Sequence, residues 1–162
     1  KMFAIMMKKI IFLKFLLLPL AVHGQNLYEE LTSMGAVTIE YQLTGYNDAG
    51  RLVSSAEGKA DVMGKCFKVI ADKMEVYSDG ETMWVLNKDA DEMVITNDIS
   101  FPLLTDSKVQ TWQSGKKVVT YKSGSVSYKV NINEITKVLK PFDKSHFVYD
   151  NFYPELIVTD ER

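Results

Sequence analysis

Two segments in which apolar and polar residues alternate strictly constrain the fold of this chain more than any other feature. The first runs from Val37 to Thr44 and the second from Val126 to Ile132. Because successive side chains of a β-strand point to opposite faces of a sheet, a period of two predicts strands with one face towards a core and the other towards water. An amphipathic helix would instead repeat its apolar positions every three to four residues. The fold is therefore predicted to consist mainly of β-strands.

Turn signals divide the remaining sequence into short strands. Gly stands beside or close to Asn, Asp or Ser at 47–50, 79–80 and 123–124, which favours tight turns between paired strands. Strands are predicted at residues 51–63, 65–71, 74–78, 81–86, 92–96, 116–122, 125–132 and 134–139. Residues 26–34 can form about two helical turns, and residues 98–113 are predicted as a loop with a short helical turn. We expect an antiparallel, strongly twisted sheet that curls towards a barrel, with one or two small helices packed on it.

The first 24 residues form a segment with a chemistry of its own. A lysine pair at 8–9 precedes an apolar run at 10–22, and small residues follow near Gly24. This order predicts a cleavable secretory signal peptide at 1–24 and one exported domain at 25–162. A membrane anchor is the alternative, but Lys and Pro interrupt the run, which is shorter than the about 20 apolar residues that a span needs.

Charge narrows the classes of partner for the exported part. Residues 25–162 contain 21 acidic and 15 basic residues, which leaves a net charge of −6. Nucleic acids and anionic membrane surfaces select clustered Lys and Arg, so neither is expected as a partner. Cys66 is the only cysteine, which excludes a disulfide within the chain.

Motifs for catalysis, cofactors or metals are missing from the sequence. It contains no Gly-rich phosphate loop, no zinc-binding His-Glu-x-x-His and no Gly-x-Ser-x-Gly nucleophile motif. His146 is interpreted as a surface or loop residue, and Cys66 as a small buried side chain rather than a reactive thiol. Residues 87–91 imitate the start of a calcium loop, but Glu92 stands where that loop needs Gly. We therefore expect no enzyme, no cofactor and no metal site.

One predicted strand is apolar on both faces. Residues 83–86 read Met-Trp-Val-Leu, whereas a sheet with one solvated face needs an apolar residue only at every second position. Either a helix covers the second face, or the sheet encloses an apolar space that a ligand can fill. Both interpretations remain open at this point.

Several segments resemble the outer-membrane lipoprotein carrier family, the LolA-like proteins of the bacterial periplasm. They are Glu-Gly-Lys-Ala-Asp-Val at 57–62, Phe-Lys-Val at 67–69 and Tyr-Ser-Asp-Gly-Glu-Thr-Met-Trp at 77–84. The ends are also similar, with Phe-Val-Tyr at 147–149 and Tyr-Pro through Asp-Glu-Arg at 153–162. The chain departs from the family in a shorter middle segment between Asn97 and Lys116.

This resemblance implies a fold and a function. The fold would be a strongly curved antiparallel sheet that forms an incomplete β-barrel, with one or two short helices over its opening. The protein would be a monomeric periplasmic carrier that shields the acyl chains of lipoproteins in an apolar cavity. An inner-membrane lipoprotein-releasing transporter and an outer-membrane acceptor would be its partners. The residues expected to line the cavity are Phe67, Met74, Tyr77, Met83, Trp84, Val85, Leu86 and Met93. The alternative is a secreted interaction or envelope-sensing module that keeps the fold without transferring lipid.

Overall fold

The computed structural model describes residues 34–99 and 117–162, which form mainly β-structure, as the alternation predicts. The strands are β1 Ala36–Asn47, β2 Leu52–Met63, β3 Cys66–Ala71, β4 Met74–Ser78, β5 Met83–Asn87, β6 Glu92–Thr96, β7 Lys117–Ser123, β8 Val126–Lys137 and β9 Ile157–Asp160. Within these two ranges the only helix is a single 3-10 turn at Lys144–Phe147. The predicted signal peptide at 1–24 lies outside the described residues. So do nearly all of the helical turns predicted at 26–34 and of the loop predicted at 98–113.

The nine strands form one sheet in the order β7-β8-β1-β2-β3-β4-β5-β6-β9. Strands β1 to β6 follow one another as an antiparallel meander, and the β7-β8 hairpin pairs antiparallel with β1 at the start of that meander. Among the described strands, β7 and β9 are the two edges, so the sheet is not closed into a barrel.

The expectation of a purely antiparallel sheet is wrong at one pair. β9 lies parallel to β6, with Glu92 opposite Ile157 and Ile95 opposite Asp160. The chain leaves β8 on one side of β1 and crosses to the far edge of the sheet before it enters β9, a connection that a tight turn could not make. The sequence analysis does not predict β9, because its pairing with β6 depends on this long connection and not on a local signal.

The structure also differs from the prediction in β8. The sequence predicts two strands separated at Asn133, but the structure has one strand with a β-bulge there. Glu40 pairs with Glu134 and Tyr41 with Ile132, so Asn133 is the extra residue of β8. A bulge shifts the alternation by one residue and resembles a strand end in the sequence.

The register of the strands assigns each side chain to one of two faces. Ile39, Ala60, Val69, Val76, Val85 and Val94 stand opposite one another in successive strands and form a row across the sheet. We call the face that carries this row the inner face. Residues one position away in each strand, such as Tyr77 and Trp84, point to the opposite side, the outer face.

Candidate functional site

The inner face carries a continuous apolar cluster from β8 to β6. Its buried members are Val37, Ile39, Tyr41, Leu43, Ala60, Val62, Phe67, Val69, Ala71, Val76, Met83, Val85, Val94, Val130 and Ile132. Met34 and Ile99 are partly buried and pack against it. Its buried members are 0–8% exposed, so they form a packed apolar layer that is stabilised by the hydrophobic effect and offers few polar contacts.

β2 contributes the smallest side chains of the inner face. Residues 54, 56, 58 and 60 point inward in its register and are Ser, Ala, Gly and Ala. The Tyr41 ring lies across Gly58, where a Cβ atom would overlap the phenol hydroxyl. Glycine is favoured at this position because the tyrosine occupies the space of a side chain.

The Tyr41 hydroxyl is buried without a hydrogen-bond partner among the described residues. Only 6% of the residue is exposed, and burial raises the pKa of its phenol well above the usual range. The phenol therefore keeps its proton at neutral pH. A buried donor without a partner is unusual, because such a group loses its hydrogen bonds to water without replacement.

The outer face carries a second apolar cluster at the β4-β5-β6 end of the sheet. Its members are Tyr77, Trp84, Leu86, Met93, Ile95, Tyr149 and Leu156, with Val148 and Tyr153 partly buried against them. Residues 148–156 precede β9 and cover this part of the sheet. Met83 and Val85 of β5 point inward, whereas Trp84 and Leu86 point outward beneath this cover. The double apolar character of 83–86 is thus explained by two packed faces, and the cover of the outer one is irregular chain rather than a helix.

Side-chain contacts just before the covering segment hold the chain against the outer face. His146 Nε2 lies 2.8 Å from Asp61 Oδ2, while Asp61 Oδ1 accepts a hydrogen bond of 2.6 Å from Thr38 Oγ1. The His146 ring stacks on Phe142 with 4.8 Å between centroids. His146 is therefore half-buried and, from the 3-10 turn at Lys144–Phe147, anchors the chain to the outer face just before the covering segment.

A polar cleft of about 460 Å³ lies between the sheet and the covering segment. The Tyr77 hydroxyl donates to Glu75 Oε2 at 2.9 Å, and Lys88 Nζ lies 3.3 Å from the other Glu75 oxygen. Lys68 Nζ stands 5.1 Å from the centroid of the Tyr77 ring. Burial and the hydrogen bond to Glu75 raise the pKa of Tyr77. A hydrogen bond and an ion pair thus connect Tyr77, Glu75 and Lys88 in the cleft.

Cys66 is half-buried, and its thiol donates to the Asp79 carbonyl oxygen at 3.2 Å. Burial and the charge of Asp79 raise its pKa, and the charge of Lys144 only partly opposes them. A thiol with a raised pKa is a poor nucleophile, since the thiolate is the reactive form.

Across the described ranges, no group of three or more His, Cys, Asp or Glu side chains could hold a metal ion. No helix in the same ranges has the length and hydropathy needed to cross a membrane.

The structure divides the eight predicted cavity residues between the two faces. Phe67, Met83 and Val85 belong to the inner cluster, and Met74 packs against it. Tyr77, Trp84, Leu86 and Met93 belong to the outer cluster. Sequence reasoning did not single out Tyr41 and Gly58 or the covering residues Tyr149 and Leu156. The alternation of β1 identified Tyr41 as inward-facing, but its position over Gly58 depends on a strand register that the sequence does not reveal.

Comparison with known proteins adds little to this description. No family model matches the chain, and no curated protein matches it. Among solved structures, an uncharacterized conserved protein from Thermus thermophilus is similar with a TM-score of 0.42 and 8% identity. The match covers 75% of this chain and 90% of that one.

Proposed function

We propose that this protein is a periplasmic carrier that shields the acyl chains of lipoproteins on the inner face of its sheet. In this proposal the sheet belongs to an incomplete, LolA-like β-barrel whose opening is covered by one or two short helices. An inner-membrane transporter would supply the lipoprotein, and an outer-membrane acceptor would receive it. The observation that carries the proposal is the inner apolar cluster, which extends across seven strands, β1 to β6 and β8.

The energetics of acyl binding agree with such a surface. Each methylene removed from water contributes about 0.8 kcal/mol, so a long chain gains affinity from apolar area rather than from polar contacts. Met83 and Met74 have flexible thioether side chains that pack against chains of variable shape. With the acyl chain on the inner face, Phe67, Met74, Met83 and Val85 form part of its wall. Tyr77, Trp84, Leu86 and Met93 support the same strands from the outer side.

A second candidate function is protein interaction without lipid transfer. The polar cleft on the outer face favours it, because Lys68, Glu75 and Lys88 offer both charges beside aromatic rings. Phe152 and the edge-strand residues Ile157 and Val158 add exposed apolar area close to β9. A sheet edge with exposed apolar side chains is a common surface for strand addition.

Native mass spectrometry of the protein purified from the periplasm distinguishes the two functions. The carrier should retain lipid-sized adducts, and a long-chain acyl ligand should displace an apolar fluorescent dye from it. Met83 and Met93 provide a matched pair, because both are buried methionines on neighbouring strands and they face opposite sides of the sheet. Either Met→Ala change should cost about 2–5 kcal/mol of stability.

Only Met83→Ala should also weaken acyl binding, because only Met83 faces the proposed ligand. Equal loss of affinity in both variants would contradict the assignment of the ligand to the inner face. A well-folded protein that binds neither dye nor lipid would favour the interaction module.

A further inference from the structure

We propose that the Tyr41 hydroxyl donates a hydrogen bond to the acyl carbonyl oxygen of the bound lipid, above the small side chains of β2. This inference rests on the proposed function and names the polar contact within the same site. The structural observation is a buried, unpartnered phenol directed into a stripe of small residues.

The small residues provide the space for a ligand. In the register with β1, Ala56, Gly58 and Ala60 of β2 stand opposite Leu43, Tyr41 and Ile39. β3 continues the stripe with Ala71 opposite Gly58. The Tyr41 ring fills the space above Gly58 itself. Beside the ring, at Ala56, Ala60 and Ala71, an alkyl chain can approach the backbone more closely than at Val69 or Val76, where β-branched side chains stand on the face.

Tyr41 provides the direction of the hydrogen bond. Its ring crosses from β1 over Gly58, so its hydroxyl stands above the small residues instead of at the rim of the sheet. The residue is more than nine-tenths buried, and its hydroxyl has no hydrogen-bond partner in the described ranges. Because its proton is retained, the group is available as a donor. A hydrogen-bond donor in an apolar site favours an apolar ligand that also carries an acceptor atom within reach of that donor.

The chemistry of an acylated molecule supplies that acceptor. An ester of a long acyl chain has one carbonyl oxygen next to a long run of methylenes. The methylenes bind the apolar face without direction, whereas the carbonyl oxygen binds at one point and fixes the position of the chain. Tyr41 would thus select acyl esters over alkyl ethers of equal length.

The test compares two lipids that differ only in this oxygen, 1-monopalmitoylglycerol and 1-O-hexadecylglycerol. The full-length protein should bind the ester about three- to tenfold more tightly than the ether, the range expected for one net hydrogen bond. Tyr41→Phe should bind the ester no more tightly than the ether. Tyr128→Phe is the control, since Tyr128 also lies over a glycine, Gly45, and should keep the preference.

The thermal stability of the ligand-free variants completes the test. Tyr41→Phe should unfold at the same temperature as the parent or higher, because the lost hydroxyl has no partner to leave behind. A clear loss of stability without ligand would show that the hydroxyl is already paired and would overturn the inference.

Retention of the ester preference by Tyr41→Phe would also overturn the inference. If Tyr41→Phe weakened the binding of free palmitate alone, the inference would also be overturned, because the contact would then be made with a carboxylate rather than an ester. Failure of the parent protein to bind either lipid would instead contradict the proposed function itself.

Discussion

Replacement of Gly58 by Ala tests the contact that shapes the inner face. A Cβ atom at Gly58 would overlap the Tyr41 hydroxyl and lie only 2.9 Å from the ring atom Cε2. Overpacking of this kind costs about 1–3 kcal/mol when the neighbour is held in place, as a ring that is only 6% exposed must be. The lower conformational freedom of Ala in the unfolded chain returns about 0.5–1 kcal/mol. We therefore expect Gly58→Ala to lower the free energy of unfolding by about 1 kcal/mol or slightly more.

Urea unfolding monitored by circular dichroism measures this change, and a double-mutant cycle with Tyr41→Phe assigns it to the pair. The phenol oxygen makes the closest contact with the added Cβ, so Gly58→Ala should cost less when position 41 is Phe, by about 0.5 kcal/mol or more. Gly45→Ala is the matched control, because its added Cβ meets Ser54 Oγ and Tyr128 Cε1 at 2.9 Å and Tyr128 is only half-buried. The cost at Gly45 should be smaller. An equal cost of Gly58→Ala with Tyr or Phe at position 41 would refute the assigned contact.

Three further predictions concern the outer face. Trp84→Ala should cost about 3–5 kcal/mol in urea unfolding, because Trp84 is packed beneath the covering segment. His146→Ala should increase amide hydrogen exchange in the covering segment, and Asp61→Asn should do so to a smaller extent, while exchange in β1 stays unchanged. The hydrogen bond from Tyr153 to Asp91 raises the Tyr153 pKa from 10.0 to about 12. The stability that this hydrogen bond contributes should thus be complete below pH 10 and be lost as the pH rises through 12. Ultraviolet difference titration of the parent and of Tyr153→Phe measures that step.

The sequence predicted the strands well because strand signals are local. β4 and β6 begin and end at the predicted residues, and the tight turns at Gly80 and Gly124 have the positive φ that glycine tolerates. β9 is not predicted from the sequence, because its pairing with β6 depends on a long connection across the sheet. A bulge and a break between strands have the same effect on the alternation, so the pattern at Asn133 predicts two strands where the structure has one.

The candidate site was harder to predict than the strands, since it depends on which face each residue joins. Alternation places Trp84 and Val85 on opposite faces, but it cannot tell which of the two faces a ligand would reach. Tyr149 and Leu156 stand far from β5 in the sequence, and no local signal shows that they cover it. The buried Tyr41 hydroxyl arises from a register between two strands, whereas sequence patterns report on one strand at a time.

The division between the faces leads to a decisive measurement of where an acyl chain binds. In a Trp112→Phe background, Trp84 is the only tryptophan, and it points to the outer face beneath Leu156 and Tyr149. Bromine atoms on an acyl chain quench tryptophan emission only near contact, so brominated monopalmitoylglycerol should leave Trp84 emission nearly unchanged. A second variant that carries Phe67→Trp and Trp84→Phe in the same background places the indole on the inner face, and its emission should be quenched strongly.

Quenching of Trp84 with no quenching at position 67 would place the ligand beside the covering segment and would refute the inner-face assignment. The comparison is sound because the two side chains belong to one sheet and are both less than a tenth exposed. General access of the ligand to the protein surface therefore cannot produce a difference between them.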